Sequence, residues 1–246
     1  MVEAWLAQAT DAFWGSVGSI PTLPRNLDRV MSLGYPIALV DLPKLSVYRI
    51  EHWFQRHQIP YRLLCRDRAL CGCIVAAQGH GIIFVSRDDR ADEQRFTIAH
   101  EVAHYLLDYF YPRQQAHQLF GDDILPVLNG ERPPSSLERV DALLGSVSLG
   151  VYLDMLPRSA QGDIDQDFVL RAEERADRLA LELLAPAEDV LARVTTTNIV
   201  DLFEKTRQAA SILVTLYGLP HRIAQKYATW LLRDHKPTTA QWLGLS

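Results

Sequence analysis

The chain is poor in cysteine, in long apolar runs and in excess positive charge, and each shortage removes a class of protein. Three cysteines in 246 residues, two of them in Cys71-Gly72-Cys73, form no disulfide framework and point to a reducing, cytoplasmic compartment. No apolar stretch approaches the ~18 residues needed to cross a bilayer. The N-terminus, Met1-Val2-Glu3-Ala4-Trp5-Leu6, lacks the basic-then-apolar order of a secretory signal. A net charge of −5 leaves no basic footprint, so composition does not favour nucleic-acid binding. Internal repeats and low-complexity tracts are absent too. What is left is a globular composition, long enough for one large domain or two small ones.

The period of the apolar residues changes along the chain. Residues 1–20 read as an amphipathic helix carrying Trp5, Leu6, Phe13 and Trp14. A second helix is expected from Asn26 to Leu33, stopped by Gly34 and Pro36, with the apolar run Ile37-Ala38-Leu39-Val40 after it. Leu45 to Gln58 places Val47, Ile50, Trp53, Phe54 and His57 at three- and four-residue steps, a helix with one buried face. His52 and His57 there read as surface or packing residues. After Pro60 the runs Tyr61–Cys65, Leu70–Ala77 and Gly81–Ser86 are short and β-branched or alternating, with Gln78-Gly79-His80-Gly81 as a hairpin turn. They predict a small antiparallel sheet of about three strands. Cys71 and Cys73, two apart, would face the same way on a strand, either as small core residues or as a redox switch.

The densest signal lies in Arg95-Phe96-Thr97-Ile98-Ala99-His100-Glu101-Val102-Ala103-His104. Phe96, Ala99, Ala103, Leu106 and Leu107 recur at helical spacing. Residues four apart share a helix face, so His100 and His104 point at one spot, flanked by Glu101. His-Glu-x-x-His on a helix is the pattern of two zinc ligands beside a proton-handling carboxylate. The acidic run Asp88–Glu93 suits the start of this helix, which should end before Pro112.

A catalytic zinc takes a third protein ligand. Leu107 and Phe110 stand where the glycine and third histidine of the extended zinc-peptidase pattern would fall. A carboxylate from another helix is the better choice. The segment from about Asp167 to Leu184 has an apolar face of Ala172, Ala176, Leu179, Ala180, Leu183 and Leu184, and Glu173 continues it, whereas Glu174 falls opposite. A carboxylate on such a face needs a partner. Asp177, one turn on, could hold the distal nitrogen of a ligand histidine. Without the histidine pair, Glu173 is better read as an ordinary salt-bridged glutamate.

His100-Glu101-x-x-His104 followed by Glu173-x-x-Ala176-Asp177-x-Leu179-Ala180-x-x-Leu183-Leu184-x-Pro186 resembles the ImmA/IrrE family of zinc metallopeptidases. The resemblance covers about Leu45 to Val190, including a glycine in the middle strand where Gly72 stands. It implies an α+β, zincin-like core: a small sheet, the HExxH helix and a glutamate-ligand helix. Beyond that core the chain is expected to carry a helical insertion and a helical C-terminal extension. The implied metal ligands are His100, His104 and Glu173, with Glu101 as base, Zn2+ as cofactor and Asp177 behind the ligands. Departures are Asp177, Leu179 and Ala185, where the family usually has asparagine, phenylalanine and methionine, and a longer gap between His104 and Glu173 than is usual. The expected division is 1–190 for the peptidase domain, with 112–167 as an insertion, and 191–246 for the extension. The insertion reads either as a lid or docking arm, or as surface elaboration.

The resemblance implies an intracellular endopeptidase acting on one regulatory protein, an HTH-type repressor or antitoxin-like partner, in a stress, phage or mobile-element response. The alternative is a non-catalytic zinc-containing regulator that binds DNA or a protein through its C-terminal helices. Ile199 to Arg233 has the outline of a helix-turn-helix around Tyr217-Gly218-Leu219-Pro220. Its second helix offers only Arg222, Lys226 and Arg233 for phosphates, so packing is the better reading.

Overall fold

A computed structural model describes residues 3–63, 66–145, 149, 167–195 and 201–234. Helix α1 (Ala4–Val17) buries Leu6, Ala9, Phe13 and Val17 at helical steps and ends at Gly18, whose φ of 79° lets its N–H close on the Trp14 carbonyl. Helix α2 is a single turn (Met31–Gly34), shorter than the helix expected from Asn26. Strand β1 (Ile37–Leu42) follows directly. Helix α3 (Val47–Arg56) is capped by Ser46, whose hydroxyl accepts from the Arg49 N–H, and buries Val47, Ile50 and Phe54.

Strands β2 (Gly72–Ala77) and β3 (His80–Ser86) form the expected hairpin. Its two turn residues, Gln78 and Gly79, have φ of 50° and 85°, the double left-handed geometry of a tight hairpin. The sheet has three strands in the order β1-β3-β2. It is mixed rather than antiparallel, because β1 runs parallel to β3 with Ile37 opposite Gly81 and Leu42 opposite Ser86. The third strand is therefore the Ile37 run, not Tyr61–Cys65. Leu63 turns its side chain into the α3 cluster and gives its N–H to the Glu51 carboxylate at 3.2 Å, so no ladder is needed there. Leu64 and Cys65 lie outside the described residues.

The sheet has a layer on each face. Ile37, Ile74, Ala76, Ile83 and Val85 face the main core; Cys73, Val75 and Phe84 face Val47, Ile50 and Phe54 of α3. Cys73 is thus buried against α3, while Cys71 precedes the strand and is exposed, so the two thiols are not paired on one face.

Helix α4 (Ala91–His104) carries the histidines and lies in the main core. The Glu93 carboxylate accepts from the Arg90 N–H at 3.3 Å, tying off the helix start. The helix does not stop before Pro112. A π-helical turn, Tyr105–Phe110, follows, in which Tyr111 N–H donates to the Leu106 carbonyl five residues back. Helix α5 (Tyr111–Phe120) then continues, with Pro112 just after the wider π turn. The π turn is fastened to the hairpin. Tyr105 donates to the Gly79 carbonyl at 3.0 Å, and Gly79 N–H donates to the Tyr109 hydroxyl at 2.5 Å.

Short helices α6 (Leu125–Leu128) and α7 (Ser136–Leu144) come next. Within the expected insertion, residues 146–148 and 150–166 lie outside the described residues. Helix α8 (Asp167–Leu184) packs against α4 through the alanine face read from the sequence: Ala99, Ala103, Ala176, Leu179 and Ala180 are all fully buried. Small side chains here let the two backbones approach closely. Helix α9 (Ala187–Thr195) is followed by α10 (Leu202–Thr215) and α11 (His221–Asp234). Ala224, Tyr227, Ala228 and Leu231 of α11 join the same buried cluster, and Tyr227 donates to the Ala185 carbonyl at 3.1 Å. The tail after Asp234 lies outside the described residues. Among the described residues no helix is long and apolar enough to cross a membrane. The architecture is α+β, with one small sheet among many helices, as expected.

Candidate metal centre

The pairing of α4 with α8 brings His100, His104 and Glu173 together. One ligand atom from each lies within 4.8 Å of the others. The Nε2 atoms of His100 and His104 are 3.1 Å apart, and Glu173 Oε2 is 3.3 Å from the first and 3.9 Å from the second. Ligands about 2.0–2.1 Å from a tetrahedral zinc lie about 3.3 Å from one another. The observed triangle is close to that size.

The outer nitrogens explain why the inner ones converge. His100 Nδ1 donates to Asp177 Oδ1 at 3.0 Å, and His104 Nδ1 donates to Asp108 Oδ2 at 2.8 Å. A carboxylate only accepts, so each neutral imidazole carries its proton on Nδ1 and presents a bare lone pair at Nε2. Two lone pairs and a carboxylate oxygen then face one point with no donor between them. Such a set suits a cation.

In the metal-free protein protons serve instead. Burial alone would lower the imidazole pKa values. Hydrogen bonds to Asp177 and Glu173 at His100, and to Asp108 and Glu173 at His104, outweigh it and hold both above the usual range. In return His100, and then His104, hold Glu173 well below the usual carboxylate range. Burial works against the charge of Asp177, but its bond to His100 and the nearby Lys226 keep its pKa low. Lys226 Nζ lies 3.5 Å from Asp177 Oδ2.

Glu101 is buried, at 8 % exposure, next to the histidines. Burial raises its pKa, the two imidazoles pull the other way, and Glu173 adds to the rise; the Ile74 backbone also bonds to its carboxylate. Strand β2 passes so close that a Cβ at Gly72 would overlap Thr97 Cγ2 and lie 2.7 Å from Glu101 Oε1. Only glycine leaves the carboxylate its place. Glu174 is exposed on the far side of α8.

The triad opens into a cleft of about 760 Å³. Helix α4 forms its floor, with Phe96, Thr97, His100, Glu101 and His104. Arg68 to Ile74, the approach to β2 and its first residues, make one wall, and Glu173 and Asp177 of α8 with Pro220, Arg222 and Ile223 make the other. The start of α11 is held there by Arg95, which donates to the Gly218 carbonyl at 2.7 Å.

Two groups escaped the sequence reading. Asp108 stands four residues after His104, a spacing that could have revealed it, and Arg175 reaches it from α8 at 3.2 Å. Lys226 comes from the C-terminal helices, and no sequence signal tied it to the site. Of the other described histidines, His57 bonds back to the Trp53 carbonyl, and His117 pairs with Asp122 at 2.7 Å.

Residues 59–123 match the family Peptidase_M78, described as the IrrE N-terminal-like domain. That match supports the ImmA/IrrE resemblance and a metallopeptidase-like family for this segment. It spans the entry to β2, the hairpin, α4 and α5, and ends before Glu173. Comparison with curated proteins and with solved structures gives no match.

Proposed function

We propose that this protein is a zinc-dependent endopeptidase whose metal is held by His100, His104 and Glu173, with Glu101 as general base. The observation that carries this reading is the convergence of three acceptors on one point beside a buried carboxylate, on the floor of an open cleft. Bound zinc supplies Lewis acidity, polarising a peptide carbonyl and bringing the pKa of a coordinated water to about 7. Asp177 and Asp108 orient the two imidazoles and keep their Nδ1 protons in place. Glu101 takes the proton released as water attacks the carbonyl, then gives it to the leaving amine nitrogen. Strand β2 is the outer strand of the sheet on the cleft side, so an extended substrate segment could align along it.

By family resemblance the substrate is a single regulatory protein inside the cell, an HTH-type repressor or antitoxin-like partner, and the context a stress, phage or mobile-element response. We take the C-terminal helices as a cleft wall rather than a DNA reader. In α11, Arg222 and Ile223 line the cleft, Lys226 points to Asp177, and Ala224, Tyr227 and Ala228 are buried. The test is to incubate the purified protein with the product of its neighbouring gene, with and without a chelator. Chelator-sensitive cleavage at one site supports the proposal. Intact partner under all conditions, with salt-sensitive DNA binding instead, would favour the regulator.

A further inference from the structure

We infer that the cleft selects an acidic side chain of an extended peptide, bound by Arg68 and Arg222 from opposite walls. This rests on the cleft being the substrate cleft of the proposed peptidase.

The charged groups of the cleft differ in whether they are already satisfied. Glu101 and Glu173 serve the metal point, Asp177 holds His100 and Lys226, and Glu93 ties off the start of α4. Asp89 bonds to Ser86. Arg68 and Arg222, by contrast, have no side-chain hydrogen bond or ion pair among the described residues, although both line the cleft. Several arginines outside the cleft are engaged, among them Arg25 on the Leu183 carbonyl, Arg113 on Asn129, Arg175 on Asp108 and Arg178 on Glu3. Others, such as Arg29 and Arg56, are exposed and unpaired among the described residues as well.

Both free guanidiniums stand on fixed backbone. The Arg68 carbonyl accepts from Val47 N–H at 3.2 Å, and Leu70 N–H donates to the Leu45 carbonyl at 3.0 Å. Arg222 is in the first turn of α11, which the Arg95–Gly218 bond anchors. The planar fork of each guanidinium can grip a carboxylate with two parallel bonds. Leu70, Phe96 and Ile223 add apolar surface to the same cleft. An amide or an ammonium at the same place would leave these forks unmatched or repelled.

The test uses the zinc-loaded full chain with Glu101→Gln, which keeps the cleft and is not expected to cleave. Three pools of end-blocked decapeptides carry Glu, Gln or Lys at one central position and mixed residues elsewhere, and retention on the protein is read by mass spectrometry. The Glu pool should be retained about tenfold over the Gln pool, the order expected for charge-assisted bonds at a partly exposed site. Arg68→Gln with Arg222→Gln should remove the difference, and Arg222→Glu should shift preference towards the Lys pool. Equal retention of the Glu and Gln pools, or a preference that survives the double substitution, overturns the inference. The wild-type protein is run on the same pools. Cleavage without acidic preference defeats the anion contacts alone; acidic retention without any cleavage counts against the peptidase and leaves the contacts standing.

Discussion

His104 Nδ1 lies 2.8 Å from the Asp108 carboxylate, and Asp108 in turn is reached by Arg175 of α8 at 3.2 Å. The π turn that starts at Tyr105 contains this aspartate, and its two tyrosines are locked to the hairpin at Gly79. Floor helix, sheet and ligand helix therefore all bear on one imidazole.

Replacing Asp108 by Asn should weaken zinc binding by about 10–100-fold, the usual cost of losing a carboxylate behind a ligand histidine. Competition with a chromophoric chelator measures it. Arg175→Gln should have a smaller effect, since that arginine is nearly half exposed. Wild-type affinity in the Asp108 variant would show that the π turn has no part in the site.

Glu173 and Glu174 are neighbours in sequence with opposite expectations. Glu173→Ala should lose the bound metal, and Glu174→Ala should keep it. Metal content by mass spectrometry after gel filtration decides between them. A full zinc equivalent in the Glu173 variant would remove the third ligand.

Much of this was legible in the sequence, and the failures have causes. The histidine pair, the alanine face of α8 and the hairpin follow from short-range periodicity, which one strand or helix enforces by itself. The parallel pairing of β1 with β3 depends on partners about forty residues apart, and the Ile37 run carries no mark of its neighbour. Pro112 reads as a stop, but the wider π turn before it lets the helix go on. Asp177 was found because it shares a face with Glu173. Lys226 was not, since only the docking of α11 brings it to Asp177.

Gly72 should tolerate no side chain. Gly72→Ala would press on Thr97 and Glu101, at a cost of about 1–3 kcal/mol in stability. Turnover should fall while zinc content is kept, because the base and not the ligands is displaced. Adding Thr97→Ser, which removes the overlapping methyl, should recover stability more than turnover. A Gly72→Ala protein with wild-type melting and cleavage would refute the close approach.

Proton and metal compete for the imidazoles, so their effects on stability run in opposite directions with pH. The native pKa values of His100 and His104 are raised. Their contribution to the metal-free protein is complete below about pH 6.5, the value of a free imidazole, and is lost as pH climbs through the raised native values. Zinc needs the neutral rings, so its contribution grows over the same range. The gap in Tm between zinc-loaded and metal-free protein should therefore widen from about pH 6.5 upward. Scanning fluorimetry at fixed free zinc would expose a constant or narrowing gap, which would contradict the raised values.

The most direct measurement compares zinc-loaded wild-type protein with zinc-loaded Glu101→Gln on a proteome-derived peptide library, with new termini read by mass spectrometry. The account predicts new termini with the wild type, loss of all of them on chelation, and none with Glu101→Gln despite a full zinc equivalent. The same termini from the Glu101→Gln protein, or none from a fully loaded wild type, would contradict it.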